Sequence, residues 1–489
     1  MLNQNHTPLV NALKACVATS HAPFYTPGHK RGKGISQPLT DLLGKAVFQA
    51  DLTELAELDN LFAPQGVIQE AQELAAEAFG ASQTWFLVNG STCGIEAAIL
   101  ATCGTGDKII LPRNVHSSAI AGLILSGAVP IFINPEYDSV LDIAHSITPN
   151  AVQFALQQHP DAKAVLTVYP TYYGVCGDLA AIAHITHQYN IPLLVDEAHG
   201  AHFAFHPELP TPALAAGADL TVQSTHKVLA AITQASMLHV QGNRIDYQRV
   251  SKALQLVQST SPSYLLLASL DAARQQMAVH GKDLMSRTLQ LAEEARTKIS
   301  QISGLAVLEI PAKQKFSPGF VALDRTRLTV NVYHLGLSGF EAEEILEEIG
   351  VTAEFSSLQN VTFIISLGNT QADIKQLIQG FTTIADKYSL LLKLPLHKLS
   401  LPTQTKNDES RLSPREAFFA ASETLSLEYT SDRICAEIVC PYPPGIPVLM
   451  PGELITKTAL EYLRQIQAMG GFISGCVDPS FKTLKVVKN

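Results

Sequence analysis

Four short runs carry side chains that could do chemistry. Asn89-Gly90-Ser91-Thr92-Cys93-Gly94 places two hydroxyls at the start of a predicted helix. Free backbone N–H groups there, with the hydroxyls, suit an anion such as phosphate. Asp196-Glu197-Ala198-His199-Gly200 follows an apolar run, where a buried carboxylate is costly without a cationic partner. Gln223-Ser224-Thr225-His226-Lys227 adds an amine beside an imidazole, and His116 follows Pro112-Arg113-Asn114-Val115. Each run has a plainer reading as an N-cap, a strand-end acid, a surface lysine or a structural histidine. Together they give, in chain order, a phosphate cradle, a flat ring, an acid and a lysine. Pyridoxal phosphate needs all four: an amine for a Schiff base, N–H and hydroxyl donors for phosphate, an acid on the pyridine nitrogen, and a flat side chain over the ring.

These residues sit just past segments that read as strands. Trp85–Val88, Lys108–Leu111, Val129–Ile133, Ala164–Val168, Ile191–Val195 and Leu220–Val222 are short apolar runs. Thr92–Cys103, His116–Ser126 and Leu179–Tyr189 read as helices between them. Ile68, Ala71, Leu74, Ala75, Ala78 and Phe79 recur at helical spacing, and Gly80 ends that helix. Buried strands joined by helices predict an α/β fold with a mainly parallel sheet, whose ligands lie at the carboxyl ends of the strands. Thr329–His334, Glu341–Ile349 and Phe363–Ser366 predict a smaller α+β region. The expected organisation is an N-terminal arm (1–60), a large cofactor-binding domain (61–305), a small α+β domain (306–395), a linker or surface loop (396–413) and a C-terminal domain (414–489).

The 489 residues are 46% apolar and 16% charged, with a net charge of −10. That supports large cores and argues against disorder. No polybasic tract covers a face, so nucleic acid is not an expected partner. No apolar stretch approaches the roughly 18 residues of a spanning helix, so no membrane is expected either. No secretory signal is visible, and the seven cysteines are scattered without a C-x-x-C pair. They read as reduced thiols of a cytoplasmic protein, with neither disulfide frame nor metal site.

Longer stretches carry a family likeness: PFYTPGHKRG (23–32), DLTELAELDNLFAPQGVIQEAQELAAEAFGA (51–81), NGSTCG (89–94), PTYYGVCGD (170–178), VDEAHGAH (195–202), QSTHK (223–227) and PYPPGIPVLMPGE (441–453). With these the sequence resembles the fold-type I, pyridoxal-phosphate-dependent decarboxylases of the ornithine/lysine/arginine group. It lacks the receiver-like N-terminal domain of the larger members and resembles the short, biosynthetic arginine decarboxylases. The resemblance implies pyridoxal 5'-phosphate as a Schiff base on Lys227, with His226 beside it as proton donor. It implies Asp196 on the pyridine nitrogen, His116 stacked on the ring, and Ala198 and His199 on the other side. Ser91, Thr92 and Ser224 would hold phosphate, Cys93 would supply a phosphate N–H, and Thr171 would reach the ring's 3-hydroxyl region. Two positions depart from the larger members: Ser117 stands where they often have Lys, and His199 where they have an aromatic.

The implied reaction is decarboxylation of a small cationic amino acid, arginine to agmatine first, lysine or ornithine next. Glu437 and Glu453 are candidates to receive the substrate's cation, and the loop around His29 would belong to the active site. Fold-type I sites form at a shared interface, so at least a homodimer is implied. Another fold-type I enzyme, such as an aminotransferase or β-eliminating lyase, would need an Arg clamp on the α-carboxylate; Arg415 and Arg433 are the residues to watch. A non-catalytic binding relative would have no reason to keep Lys227, Asp196 and His116 together.

Overall fold

The computed structural model describes residues 2–311, 317–388, 412–442 and 445–488. The chain divides into two compact units, Met1–Ala101 with Leu194–Ser286, and Thr102–Leu193 with Arg287–Asn489. The division runs through the stretch expected to form one large domain. Of the expected linker 396–413, only Leu412 and Ser413 lie within the described residues.

In the first unit, the helix Val67–Phe79 buries Ile68, Ala71, Leu74, Ala75 and Phe79, and Gly80 caps it with φ 74°. The strands Gln83–Leu87, Ser236–Val240, Leu220–Gln223 and Leu193–Asp196 lie side by side in that order. Leu193–Asp196 and Leu220–Gln223 are parallel, with Val195 opposite Thr221. The other two pairings are antiparallel. Ser236–Val240 was not expected, because Ser236 and His239 break its apolar run. Both polar side chains are nevertheless fully buried.

The second unit holds the parallel strands Ala164–Val168, Lys108–Pro112 and Val129–Ile133, with the helices Ser117–Ser126, Pro149–Gln158 and Leu179–Gln188. A four-stranded antiparallel sheet contains Arg327–Asn331 and Asn360–Ile364. Its core takes in Leu346 from the helix Gly339–Glu348 and Phe381 from the helix Gln371–Tyr388. The last stretch has its own cluster, including Leu463, Ile466, Leu484 and Val486. Ile434–Val439 reads as a strand in sequence but forms isolated bridges, Ile434 to Leu454, Cys435 to Val486 and Val439 to Leu449.

The helix Gly90–Thr102 opens directly after the strand Gln83–Leu87. It approaches the neighbouring strands closely because Gly94 has no side chain. A Cβ at Gly94 would lie 2.6 Å from Val222 Cγ1 and 2.7 Å from Leu87 Cδ1. Both neighbours are fully buried, so relief requires the helix to move. Gly94→Val is therefore predicted to destabilise the fold by about 2 kcal/mol. Thermal unfolding checks this, and an unchanged Tm would show that the helix tolerates displacement.

Candidate active site

Lys227 lies in the short helix Thr225–Val228, which follows the strand Leu220–Gln223. Its Nζ is 3.0 Å from His199 Nε2. Asp196 ends the adjacent parallel strand and is buried. Its Oδ1 accepts the Ala198 N–H at 3.1 Å. Burial pushes the Asp196 carboxyl above its usual range, while the Lys227 charge and the Ala198 N–H pull it back. Such an acid gains from a cation placed against it. His226 donates from Nδ1 to the Ala235 carbonyl at 3.0 Å, which sets its tautomer.

A second group of donors belongs to the same unit. Ser224 Oγ lies 2.8 Å from Ser91 Oγ, so a hydroxyl just past one strand meets one in the first turn of the helix Gly90–Thr102. Gly90 has φ +75°, a conformation that favours glycine, where that turn begins. Thr92 is exposed. Cys93 turns inward, its Sγ bonded to the Gly90 carbonyl at 3.1 Å, and burial pushes its thiol up to about 12. Only its backbone remains to serve a ligand. His29, in the N-terminal loop, accepts the Gly32 N–H on Nδ1, so Nε2 donates to Asp51 at 3.1 Å.

The second unit places the other expected residues. His116 caps the helix Ser117–Ser126, its Nδ1 accepting the Ser118 N–H. A Cβ on Gly445, within the PYPPGIP run, would come 3.4 Å from His116 Nε2. Arg113 donates to the Pro447 and Val448 carbonyls at 2.6 and 3.0 Å and to Glu453 at 3.1 Å. It thus ties the segment before His116 to the 441–453 motif, a role not read from the sequence; its position between a strand end and His116 was the only signal. Thr171 is buried, and its Oγ1 accepts the Val175 N–H at 3.2 Å.

Both candidate glutamates are engaged by neighbouring groups. Glu437 Oε1 accepts the Val477 N–H at 2.7 Å and Oε2 the Lys485 N–H at 2.8 Å. Glu453 accepts Arg113 and the Met450 N–H at 3.0 Å. Both carboxylates thus hold neighbouring backbone in place. The two arginines that an aminotransferase would need are similarly engaged. Arg415 donates to the Ile124 and Leu125 carbonyls, and Arg433 to Glu423 and the Val487 carbonyl.

The first unit's donors fit pyridoxal phosphate: a primary amine, a buried acid and paired hydroxyls at a helix N-terminus. The model described as Orn/Lys/Arg decarboxylase, major domain, matches residues 7–373, and the model of that family's C-terminal domain matches 401–475. The chain belongs to the Orn/Lys/Arg decarboxylase family. It is 40% identical to proteins named arginine decarboxylase from Halalkalibacterium halodurans and Bacillus subtilis, over 100% of this chain and 99% of each relative. Its fold matches lysine decarboxylase A from Pseudomonas aeruginosa with a TM-score of 0.83 at 24% identity, covering 99% of this chain and 81% of that one. The α/β, fold-type I architecture and the decarboxylase activity implied by the sequence motifs both stand. Among the described residues, no helix is long and apolar enough to cross a membrane.

One residue of this decarboxylase that sequence reasoning passed over is Glu197. It is fully buried, and its carboxylate accepts from Ala213 N at 2.8 Å, Thr221 Oγ1 at 2.9 Å and Gln223 Nε2 at 2.8 Å. Burial raises its pKa from 4.5 to about 7, and the three donors oppose that rise. A carboxyl whose pKa is raised by folding binds protons more tightly in the folded state. Its contribution to stability is complete below the unfolded value and is lost as pH rises through the folded one. Wild-type stability relative to Glu197→Gln is therefore predicted to fall between about pH 5 and about pH 8. Melting both proteins across that range checks it; a gap that does not change with pH would contradict it.

Proposed function

We propose that this decarboxylase converts L-arginine to agmatine and CO2, with pyridoxal 5'-phosphate held as a Schiff base on Lys227. The observation that carries the reading is the meeting of Lys227, His199 and buried Asp196 at the ends of two parallel strands. The choice of arginine is supported by the relatives that carry that name. Bound pyridoxal phosphate supplies the electron sink for the pair left behind as CO2 departs.

The protein's own residues bind, orient and move protons. Ser91, Ser224 and the N–H groups of the first turn, including those of Thr92 and Cys93, hold the phosphate. Asp196 keeps a proton on the pyridine nitrogen; as an opposite charge, that proton in turn favours the ionised acid. Ala198 and His199 line one side of the ring. For His116 and Thr171 we retain the roles the resemblance implies, stacking on the ring and reaching its 3-hydroxyl. His226 or Lys227 returns a proton to the α-carbon. Glu437 and Glu453 remain the candidates to receive the guanidinium, each carboxylate having lone pairs beyond those that hold backbone and Arg113.

We further propose a homodimer that works in the cytoplasm, with the loop around His29 reaching the substrate. Phe24 and Leu42 in the N-terminal arm are 93% and 77% exposed, which favours their burial against a second copy. All seven cysteines are free, which suits a reducing compartment.

Incubation with arginine, lysine and ornithine at equal concentrations, followed by product identification, tests the substrate. Agmatine is predicted to form fastest; faster cadaverine or putrescine would overturn arginine. Asp196→Asn is predicted to retain the cofactor while kcat falls roughly a hundredfold. Near-normal turnover would remove Asp196 from the role given to it.

A further inference from the structure

A hydrogen-bonded chain runs beneath the site, with one member from each of four neighbouring strand segments. Thr84 Oγ1 lies 2.7 Å from His239 Nδ1, and His239 Nε2 lies 3.1 Å from Gln223 Oε1. Gln223 Nε2 reaches Glu197 Oε2 at 2.8 Å. The row is set by register, because Thr84 faces His239, and His239 faces Thr221. Gln223 is two residues beyond Thr221 and shares its face. None of these side chains is more than 3% exposed. Phe79 stacks on the His239 ring at 4.7 Å.

The ionised Glu197 gives the chain a direction. A carboxylate only accepts, so the Gln223 amide must present Nε2 to it. Gln223 Oε1 then faces His239, which must donate from Nε2. Burial pushes the His239 pKa down to about 3, so the ring is neutral and its Nδ1 is left as an acceptor for the Thr84 hydroxyl. Every donor therefore points towards Glu197.

The two residues at the end of the chain are neighbours of the chemistry. Glu197 directly follows Asp196, and Gln223 directly precedes the Ser224–Lys227 run. The two segments are also joined through neighbouring backbone, Glu197 N donating to the Val222 carbonyl at 3.0 Å and Ser224 N to the Ala198 carbonyl at 3.3 Å. Room for the Glu197 side chain depends on Gly200, where a Cβ would lie 2.7 Å from Glu197 Cγ.

We propose that Glu197 is a positioning residue for the decarboxylation: paired with Gln223, it locks the two strand ends that present Asp196 and Lys227 to the cofactor. This rests on the reading of Lys227 and Asp196 given above. A shift of these ends by a fraction of an ångström costs rate because the reacting groups must stay aligned.

The test is a reciprocal swap at about pH 8, where the wild-type carboxyl is ionised. Glu197→Gln replaces one acceptor oxygen by a donor, so an N–H must face either the Gln223 amide or the Ala213 N–H, and Gln223→Glu sets carboxylate against carboxylate. The double variant restores a donor facing an acceptor, and residue 223 still accepts from His239. Each single change is predicted to lower kcat about tenfold with KM within about twofold, and to weaken pyridoxal 5'-phosphate binding to the apo-protein. The double variant is predicted to recover both to within about threefold of wild type. A double variant no better than the worse single one would overturn the proposal. So would single variants that lose only Tm and keep wild-type kcat and cofactor affinity. If the single variants fail to fold, the double variant decides alone, and its failure to fold or to turn over refutes the pairing. The assay uses whichever basic amino acid the wild type decarboxylates fastest, so an error about arginine is distinguished from an error about Glu197. Were the wild type inactive on all three, the decarboxylase reading would fall, while cofactor affinity would still report the pairing.

Discussion

A buried carboxyl with a half-buried amine beside it makes the main demand on this structure. Lys227 and Asp196 emerge from two parallel strands in register, with Asp196 opposite Val222. Removing such groups from water is costly, and their mutual attraction offsets it only when the geometry is firm. Loose strand ends would let water in and weaken the field each group exerts on the other. The surrounding sequence supplies firmness through buried apolar strands, through the Ala198 N–H on Asp196 and through the His199 ring on Lys227.

The end proposed to hold phosphate follows a similar logic with different means. The helix Gly90–Thr102 must bring its N-terminus close to the strand that leads to Ser224. A glycine at position 94, against Val222 and Leu87, lets the helix settle there. Ser91 and Ser224 then come within 2.8 Å. Orientation and charge placement are the protein's share of the catalysis, and the electron sink is the cofactor's.

Much of this was legible from residue types placed after apolar runs. Lys227, Asp196, Ser91 and Ser224 all stand just past strands, where an α/β sheet presents its ligand groups. Other parts were hidden for physical reasons. Ser236–Val240 was missed because its polar residues looked incompatible with a buried strand, although His239 is satisfied by Thr84 and Gln223. Glu197 was overshadowed by the acid beside it, since no local pattern tells which of two adjacent carboxylates faces a site. Glu437 looked like a receiver for a cation, and its partners, Val477 and Lys485, lie 40 and 48 residues away in sequence. Such long-range backbone pairing leaves no trace in spacing.

The proposed chemistry depends first on Lys227. The most direct measurement is borohydride reduction of the holo-protein followed by peptide mapping of the pyridoxyl group. The geometry predicts a single modified lysine, Lys227, in the peptide that contains QSTHK. Attachment to any other lysine, or no attachment at all, would contradict it.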